Sequence, residues 1–369
     1  MGLVEDTPRP RRGLSDLMSR WQTDLISRPG FQAWAARFPL TRGLVRRDGE
    51  RLFDLVAGFV YSQTLFACVQ LELFEDLAAA PKAPLTLALA RGLTEQRMTA
   101  LCQSAAALGL IKRRRDGRYA LARLGAALIG VPGLIEMVRH HDILYRDMAD
   151  PVALLRDEVE TELAGFWPYV LGQTQAAPED GVVQQYSRLM AQSQAMVAQE
   201  TLQTVSFAKA QVVMDVGGGT GAFLRHVQVA YPKLKTILFD LPDVVTGAEG
   251  MEAIGGSFLD PLPRAADTIT LIRVLYDHTD ETVDHLLRNV FDALPAGGRI
   301  VISEPMSGGA HPARATDGYF SFYTMAMRTG RVRSHSEIAE KLERVGFADA
   351  QIAKTGRPYV TSVVMAEKA

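Results

Sequence analysis

The spacing of apolar residues changes along the chain and predicts two kinds of structure. Before about residue 205, apolar positions recur at helical spacing, and in one long segment Leu52, Val56 and Phe59 share a face. After residue 211, short apolar runs alternate with amphipathic stretches, which predicts strands separated by helices. The expected fold is therefore α/β, with a doubly wound, mostly parallel sheet preceded by a mostly helical part.

The helical part is predicted to be a winged helix. Residues 14–51 predict short helices, residues 52–78 a long helix and a short one, and residues 95–108 a further helix. Residues 109–121 then predict a β-hairpin, because the Asp-Gly pair at its centre signals a tight turn. Winged helices often bind DNA, but the helix before this hairpin has few base-reading side chains, so no nucleic-acid partner is expected.

Three parts follow from these elements: a basic extension over residues 1–51, a helical winged-helix domain over 52–205, and an α/β domain over 206–369. The net charge of −2 and the 22% of charged residues are ordinary for a globular protein without an overall attraction to nucleic acid. Two cysteines make neither a disulfide framework nor a metal spacing, so we expect a reducing, cytoplasmic location and no metal. No uninterrupted apolar run of about 18 residues occurs, so no membrane span is expected.

The first 51 residues are both basic and aromatic. They contain ten arginines against six acidic residues, a net charge of +4, together with two Trp and two Phe. Arginines interleaved with aromatic residues suit two partners: an anionic membrane surface, or a partner subunit on which the extension packs. Both alternatives stay open, so the protein is expected either free in the cytoplasm or peripheral at a membrane.

One βαβ unit carries the strongest functional signal. An apolar run ends in Asp215, a turn with Gly217, Gly219 and Gly221 follows, and a second strand ends in Asp240. Glycines let the backbone approach a ligand closely, and an acid at the end of the second strand can accept ribose hydroxyls. The unit therefore predicts a site for an adenosine-containing cofactor.

Dinucleotides and S-adenosylmethionine both bind such a unit, and three details favour S-adenosylmethionine. The glycines lack the spacing of a dinucleotide site, and a long helical segment precedes the unit. In addition, Asp215 would repel a pyrophosphate but attract the ammonium group of a methionine tail.

The chain resembles the small-molecule O-methyltransferases of plants and bacteria over nearly its whole length. The motifs that carry the resemblance are V-M-D-V-G-G-G-T-G at 213–221, F-D-L-P at 239–242, R-V-L-Y-D-H-T-D-E at 273–281 and L-P-A-G-G-R-I-V-I-S-E at 294–304. Within that family, residues 51–63 and their basic leader are most similar to the carotenoid enzymes of purple photosynthetic bacteria. If the extension meets a membrane, the resemblance implies that this is the inner or photosynthetic membrane.

The resemblance implies a homodimer in which the winged-helix domain caps the substrate pocket of the partner. It also implies cofactor contacts, which with Asp215 make one set: Met190, Asp215, Gly217, Gly219, Gly221, Asp240, Leu241, Ser257, Phe258 and Arg273. The implied reaction is methylation of the 1-hydroxyl of an acyclic carotenoid, demethylspheroidene or hydroxyneurosporene. The alternatives are another large apolar acceptor, such as a polyketide or a chlorophyll precursor, and a regulator that binds the cofactor without catalysis.

The chain departs from the family at the catalytic base. Plant members have a histidine where this chain has Tyr276, and a later family glutamate falls at Val332, so only the carboxylate matching Glu304 remains. The candidate catalytic residues are therefore Tyr276, which can orient an acceptor oxygen, and His140 and His278, which can take a proton. A surface position at a helix start is the alternative for His278.

Methionine and aromatic residues flank the expected pocket, and such side chains suit a long apolar guest or a plain hydrophobic core. They are Met137, Ile143, Leu144, Met148, Phe166, Trp167, Phe320, Phe322, Tyr323, Met325 and Met327.

Overall fold

The computed structural model describes residues 14–165, 194–248 and 250–369. These residues form two compact units. The first comprises the described residues up to Leu73 together with Ala80–Ala120, and the second comprises Phe74–Ala79 and the described residues from Leu121 onward. Compactness thus separates the units at a different place from residue 205, and the predicted domains at 1–51, 52–205 and 206–369 stay a prediction.

The first half of the chain is helical with one small hairpin. In chain order its elements are α1 (Leu14–Ile26), α2 (Pro29–Ala35), α3 (Arg42–Gln70), α4 (Leu73–Ala79), α5 (Pro84–Ala90), α6 (Glu95–Ala107), β1 (Ile111–Arg113), β2 (Tyr119–Leu121), α7 (Arg123–Gly130), α8 (Leu134–Asp147), α9 (Pro151–Leu155) and α10 (Glu162–Gly165). The predicted hairpin is present, and Gly117 in its turn has φ 81°. Pro29 starts α2, as expected for a residue that fits the first helical position.

The long helix α3 begins at Arg42, ten residues before the predicted start. Within the described part of the chain it is the helix that is long and apolar enough to cross a membrane, judged by length and composition alone. Its C-terminal end is packed inside the first unit, where Thr64 and Cys68 are buried and the Thr64 hydroxyl lies 3.1 Å from the Ser104 hydroxyl of α6. That packing belongs to the core of a folded unit.

The second half is an α/β structure. Its elements are α11 (described over residues 194–204), followed by β3 (Val212–Val216), α12 (Ala222–Ala230), β4 (Lys235–Asp240), α13 (Pro242–Val245), β5 (Glu252–Gly255), β6 (Thr268–Ile272), α14 (Asp280–Ala293), β7 (Arg299–Glu304), α15 (Ser321–Met327), α16 (His335–Val345), β8 (Phe347–Ala353) and β9 (Ser362–Lys368).

The large sheet has seven strands in the order β5-β4-β3-β6-β7-β9-β8. The first five are parallel, and β9 pairs antiparallel with both of its neighbours. Alternate residues of β3 feed two cores: Val213 packs with Leu224 of α12 on one face, and Met214 packs with Leu286 of α14 on the other. The doubly wound sheet predicted from the sequence is thereby confirmed.

The edge strand β5 was not predicted, because its four residues, Glu252–Gly255, contain one large apolar side chain and are mostly exposed.

The strand order also indicates where a ligand can bind, which is beside β3. From β3 the chain runs outward to β4 and β5 and then crosses back to β6 on the other side of β3, so a crevice opens at the carboxyl ends of β3 and β6.

Candidate active site

A glycine turn joins β3 to α12 at this crevice. Gly217, Gly219 and Gly221 have φ values of 71°, 60° and 82°, in the left-handed region that favours glycine. A Cβ at Gly217 would press against Val274, whereas a Cβ at Gly219 would meet open space. The turn therefore presents bare backbone to a space that a ligand can enter.

Asp240, at the end of β4, holds the turn in place. One carboxylate oxygen accepts the N–H of Gly219 at 2.7 Å, and the other accepts the N–H of Leu241 at 2.7 Å. Burial raises the pKa of Asp240, and these two bonds oppose the rise. Because each carboxylate oxygen has two lone pairs, Asp240 retains the acceptor capacity that the predicted ribose contact requires.

Asp215 lies beneath the same turn and is completely buried. Thr270, its partner in the β3–β6 register, donates its hydroxyl to Oδ1 at 2.6 Å. Oδ2 is buried without a donor among the described residues, and a Cβ at Gly218 would stand 2.5 Å from it. Burial raises the pKa of Asp215 to about 7. A buried acceptor without a donor suits a cationic group bound at the turn.

Ser257 and Phe258 follow β5 at the same edge of the sheet. The Ser257 hydroxyl accepts the N–H of Leu259 at 3.2 Å, and the Phe258 ring meets the His278 ring edge-on with 5.1 Å between centroids. Burial lowers the pKa of His278 to about 4. His278 is therefore half-buried beside the segment expected to hold the adenine, which is not the surface position considered as its alternative.

Tyr276 follows β6 in a 3₁₀ turn over Leu275–Asp277 and is completely buried. Its hydroxyl accepts a hydrogen bond from Nη2 of Arg273 at 3.1 Å, and its ring meets Phe320 edge-on at 6.3 Å. Arg273 has φ 59°, a conformation that costs energy for a residue other than glycine and tends to occur at functional sites. Burial raises the pKa of Tyr276, so its hydroxyl stays neutral.

Glu304, at the end of β7, supports this turn from below. Its Oε2 accepts the N–H groups of Leu275 and Tyr276 at 2.8 and 3.2 Å, and the side chain is completely buried. Burial raises the pKa of Glu304 to about 7. The carboxylate that matches the family position therefore fixes the backbone that carries Tyr276.

An aromatic cluster continues from Tyr276. A π-helical turn, Thr316–Phe320, precedes α15, and such turns are frequent at functional sites. Phe320 packs edge-on against Tyr319 at 4.9 Å and against Tyr323 at 6.3 Å. Leu144, Tyr323 and Met327 share one buried core, so the expected apolar lining is partly brought together by the fold.

His140 of α8 reaches this cluster. Its Nε2 lies 2.9 Å from the hydroxyl of Tyr323, and the two rings are 6.0 Å apart. Burial lowers the pKa of His140 to about 4, with the neighbouring His141 and Arg273 adding to the effect. His140 is therefore neutral at neutral pH, and Phe320 and Tyr323 link it to Tyr276.

Two other histidines, His141 and His285, have structural partners. His141 hydrogen-bonds the Met137 carbonyl on its own helix and stacks on Tyr319, and His285 bonds the Leu259 carbonyl at 2.8 Å. Three residues named in the sequence analysis lie outside the described part of the chain: Met190, Phe166 and Trp167. No group of three or more potential metal ligands occurs among the described residues.

Sequence reasoning missed two residues of this site. Thr270 gives its hydroxyl to Asp215, and the available signal was a threonine inside the apolar run 268–272. Tyr323 was expected as apolar lining, but its hydroxyl meets His140. Neither pairing follows from sequence spacing, because the first needs the strand register and the second joins residues 183 apart.

The sheet order, the glycine turn and the acid after the second strand define a Rossmann-like protein of the S-adenosylmethionine-binding class. The residues present fit that cofactor. Asp215 offers a buried acceptor without a donor, suited to an ammonium group, and Gly219 leaves space where a side chain would stand.

Comparisons with known proteins agree with this assignment. Residues 145–348 match the model of the O-methyltransferase domain, and residues 53–130 match the O-methyltransferase dimerisation domain. The chain is 51% identical over 370 residues to demethylspheroidene O-methyltransferase of Cereibacter sphaeroides, covering 97% of each. It is 53% identical over 337 residues to the Rhodobacter capsulatus protein of the same name, covering 90% of this chain and 85% of that one.

Solved structures share the fold. The human N-acetylserotonin methyltransferase in complex with SAM superposes with a TM-score of 0.73 at 24% identity, covering 87% of this chain and 98% of that one. The SAH-bound CalO1 methyltransferase of calicheamicin biosynthesis has a TM-score of 0.74 at 25% identity, with 88% and 98% covered. The chain belongs to the O-methyltransferase family. It is an S-adenosylmethionine-dependent O-methyltransferase with a dimerisation domain, which confirms the predicted family, fold and cofactor.

Proposed function

We propose that this enzyme methylates the tertiary 1-hydroxyl of an acyclic carotenoid of the demethylspheroidene type. One observation carries the proposal: over 97% of its length the chain is 51% identical to a protein named demethylspheroidene O-methyltransferase. The methionine and aromatic residues around Tyr323 and Met327 support it, because adaptable apolar side chains suit a long polyene.

The described residues that would hold the cofactor are the glycine turn at 217–221, Asp215, Asp240, Leu241, Ser257, Phe258 and Arg273. When bound, the cofactor supplies an electrophilic methyl group on a positively charged sulfur. The main task of the enzyme is then alignment, since an in-line displacement depends on the placement of the attacking oxygen. Glu304 contributes by fixing the backbone of Tyr276.

Tyr276 is assigned the role of orienting the acceptor oxygen. Arg273 donates to one lone pair of its hydroxyl, and Phe320 packs against its ring. Its raised pKa keeps the hydroxyl protonated, so it is a poor base but a fixed hydrogen-bonding group. A tertiary alcohol is far less acidic than a phenol, so a base that deprotonates it in advance has little to offer.

His140 is assigned the role of accepting the proton that the acceptor hydroxyl loses. When the hydroxyl oxygen gains the methyl group it becomes the oxygen of a protonated ether, which is a strong acid and gives up its proton readily. A neutral imidazole with a pKa of about 4 suffices for that late transfer. The Tyr323 hydroxyl is 2.9 Å from Nε2 of His140. In this proposal it either hydrogen-bonds the acceptor beside His140 or relays the acceptor's proton to His140.

The functional test is a turnover assay with methyl-labelled cofactor and three acceptors. Demethylspheroidene should be methylated, whereas a phenolic polyketide and a chlorophyll precursor should not. Turnover of either alternative with none on the carotenoid would overturn the proposal. A strain that lacks the protein should accumulate the unmethylated hydroxycarotenoid.

The working form is proposed to be a homodimer. The match to the dimerisation domain supports this, and so does the apolar face of α3, where Phe53 and Phe59 are exposed. A contiguous apolar face of this kind is rarely left to water on a soluble protein. Because an acyclic carotenoid resides in lipid, the dimer is also proposed to work at a membrane surface.

A further inference from the structure

Charge is divided unequally between the two compact units. Residues 1–73 and 80–120 contain 18 Lys and Arg against 10 Asp and Glu, a net charge of +8. The remaining residues contain 22 Lys and Arg against 32 Asp and Glu, a net charge of −10. The overall charge of −2 therefore conceals a strongly basic unit, which has long-range attraction for an anionic partner.

Part of this basic character lies in residues 18–47, called here the amphipathic segment, which have a net charge of +5. It contains six arginines and a single acidic residue, Asp24. On α1, Met18, Trp21 and Leu25 lie at positions that share one helical face, and Trp21 is 63% exposed. An amphipathic helix whose apolar face meets solvent, flanked by arginines, is the pattern of a helix that lies in a membrane interface.

The second half of the amphipathic segment carries an exposed aromatic group. Trp34 stacks on Phe38 with 4.9 Å between ring centroids and meets Phe31 at 5.6 Å. Trp34 is 52% exposed, and Leu40 beyond it is 85% exposed. Tryptophan favours the level of the lipid headgroups, because its ring is apolar and its N–H needs a polar partner.

We propose that the amphipathic segment docks the enzyme on an anionic phospholipid bilayer. This inference deepens the proposed membrane-surface location and rests on it: Trp21, Trp34 and Leu40 enter the interface while the arginines meet lipid phosphates. Docking there would bring the enzyme to the phase in which a carotenoid is dissolved.

Two other partners fit the observations less well. A second copy of the same segment would bring together two segments that each have a net charge of +5, because a twofold interface pairs the same patch of both subunits. The match to the dimerisation domain also begins at residue 53, beyond the amphipathic segment. The positive charge of the segment would suit a nucleic acid, but the exposed Leu40 and the apolar face of α1 would have no partner there.

The experiment measures binding of the full-length protein to vesicles by co-sedimentation. One vesicle type is phosphatidylcholine, and in the other a third of the lipid is phosphatidylglycerol; neither contains carotenoid. We expect affinity for the anionic vesicles to be roughly tenfold higher or more and to fall as salt is added. The double variant Trp21→Ser and Trp34→Ser should lose binding about tenfold.

The matched control replaces two exposed apolar residues of the other unit, Val229→Ser and Tyr359→Ser, and should bind as the wild type does. Equal affinity for both vesicle types, or no effect of the tryptophan changes, would overturn the proposal. Sedimentation of the tryptophan variant as a monomer would assign the segment to the subunit interface instead, and binding of duplex DNA but not of vesicles would assign it to nucleic acid.

The proposed methylation can be measured without vesicles, so it can be tested independently of membrane docking. Turnover of the carotenoid in detergent micelles does not require a bilayer, so an enzyme that is active there but does not bind vesicles would overturn the docking alone.

Discussion

Replacing His140 by alanine removes the group assigned to take the proton of the acceptor. The imidazole is neutral near pH 7, and its Nε2 lies 2.9 Å from the Tyr323 hydroxyl. General-base groups contribute about 10²–10⁴-fold, so the expected loss in kcat corresponds to roughly 2.7–5.4 kcal/mol of barrier. By contrast, Tyr276→Phe removes from the transition state the neutral hydrogen bond between its hydroxyl and the acceptor oxygen, ~1 kcal/mol or slightly more, so a loss of about tenfold is expected.

The assay is a single turnover with saturating cofactor and acceptor, so that binding and product release do not enter the rate. His141→Ala is the matched control: it removes the adjacent histidine, which bonds the backbone of its own helix, and should leave the chemical step within about threefold. Calorimetry of cofactor binding checks that each variant is folded.

The pH dependence gives an independent test of His140. Asp215 and Glu304, with pKa values raised to about 7, can change the rate near neutral pH in the wild type and in His140→Ala alike. Because the pKa of His140 is lowered to about 4, its protonation should remove the base and add a further fall in the wild-type rate only below pH 5. His140→Ala should lose this acid limb in short pH-jump measurements. Near-normal turnover in His140→Ala beside an inactive Tyr276→Phe would show that the two roles are reversed.

Three further changes test other parts of the structure. Asp240→Ala should weaken cofactor binding by about 1.5–3 kcal/mol, and an unchanged dissociation constant in calorimetry would remove Asp240 from the site. Thr270→Val should lower the free energy of unfolding by about 1–3 kcal/mol in urea titrations, since it deprives the buried Asp215 of its donor; stability equal to the wild type would contradict that pairing. Phe53→Asp with Phe59→Asp should convert the dimer to monomer, and a persistent dimer in sedimentation would place the interface elsewhere.

Local patterns account for most of what could be predicted from the sequence. The strand that ends at Val216, the glycine turn and α16, which begins with a Ser334–Glu337 capping box, all have short-range causes. β5 lacked such a cause, because an exposed edge strand of four residues need not be apolar. The start of α3 at Arg42 could not be predicted either. The first turns of this helix are mostly polar, and its buried residues lie near the C-terminal end.

The chemistry of the site depends on contacts that spacing does not encode. Glu304 was recognised as a family carboxylate, but its bond to the backbone of Tyr276 requires β6 and β7 to be neighbours in register. The His140–Tyr323 pair requires α8 to pack near α15, and this tertiary contact does not follow from sequence spacing. Residue types at strand ends therefore indicate where a site lies, while the role of each side chain follows from the packing.

Two of the acids at this sheet edge share one feature that bears on the proposed acceptor. Asp240 binds the backbone at Gly219, and Glu304 binds the backbone at Tyr276, so both carboxylates position chain segments. Neither is oriented to pair with a histidine, and the position where plant relatives have that histidine holds a tyrosine fixed by Arg273. An enzyme for phenols gains from a base that deprotonates its substrate first, whereas a tertiary alcohol gains from alignment and a late proton acceptor. The loss of the histidine is therefore consistent with a change of acceptor, and it requires no loss of catalysis.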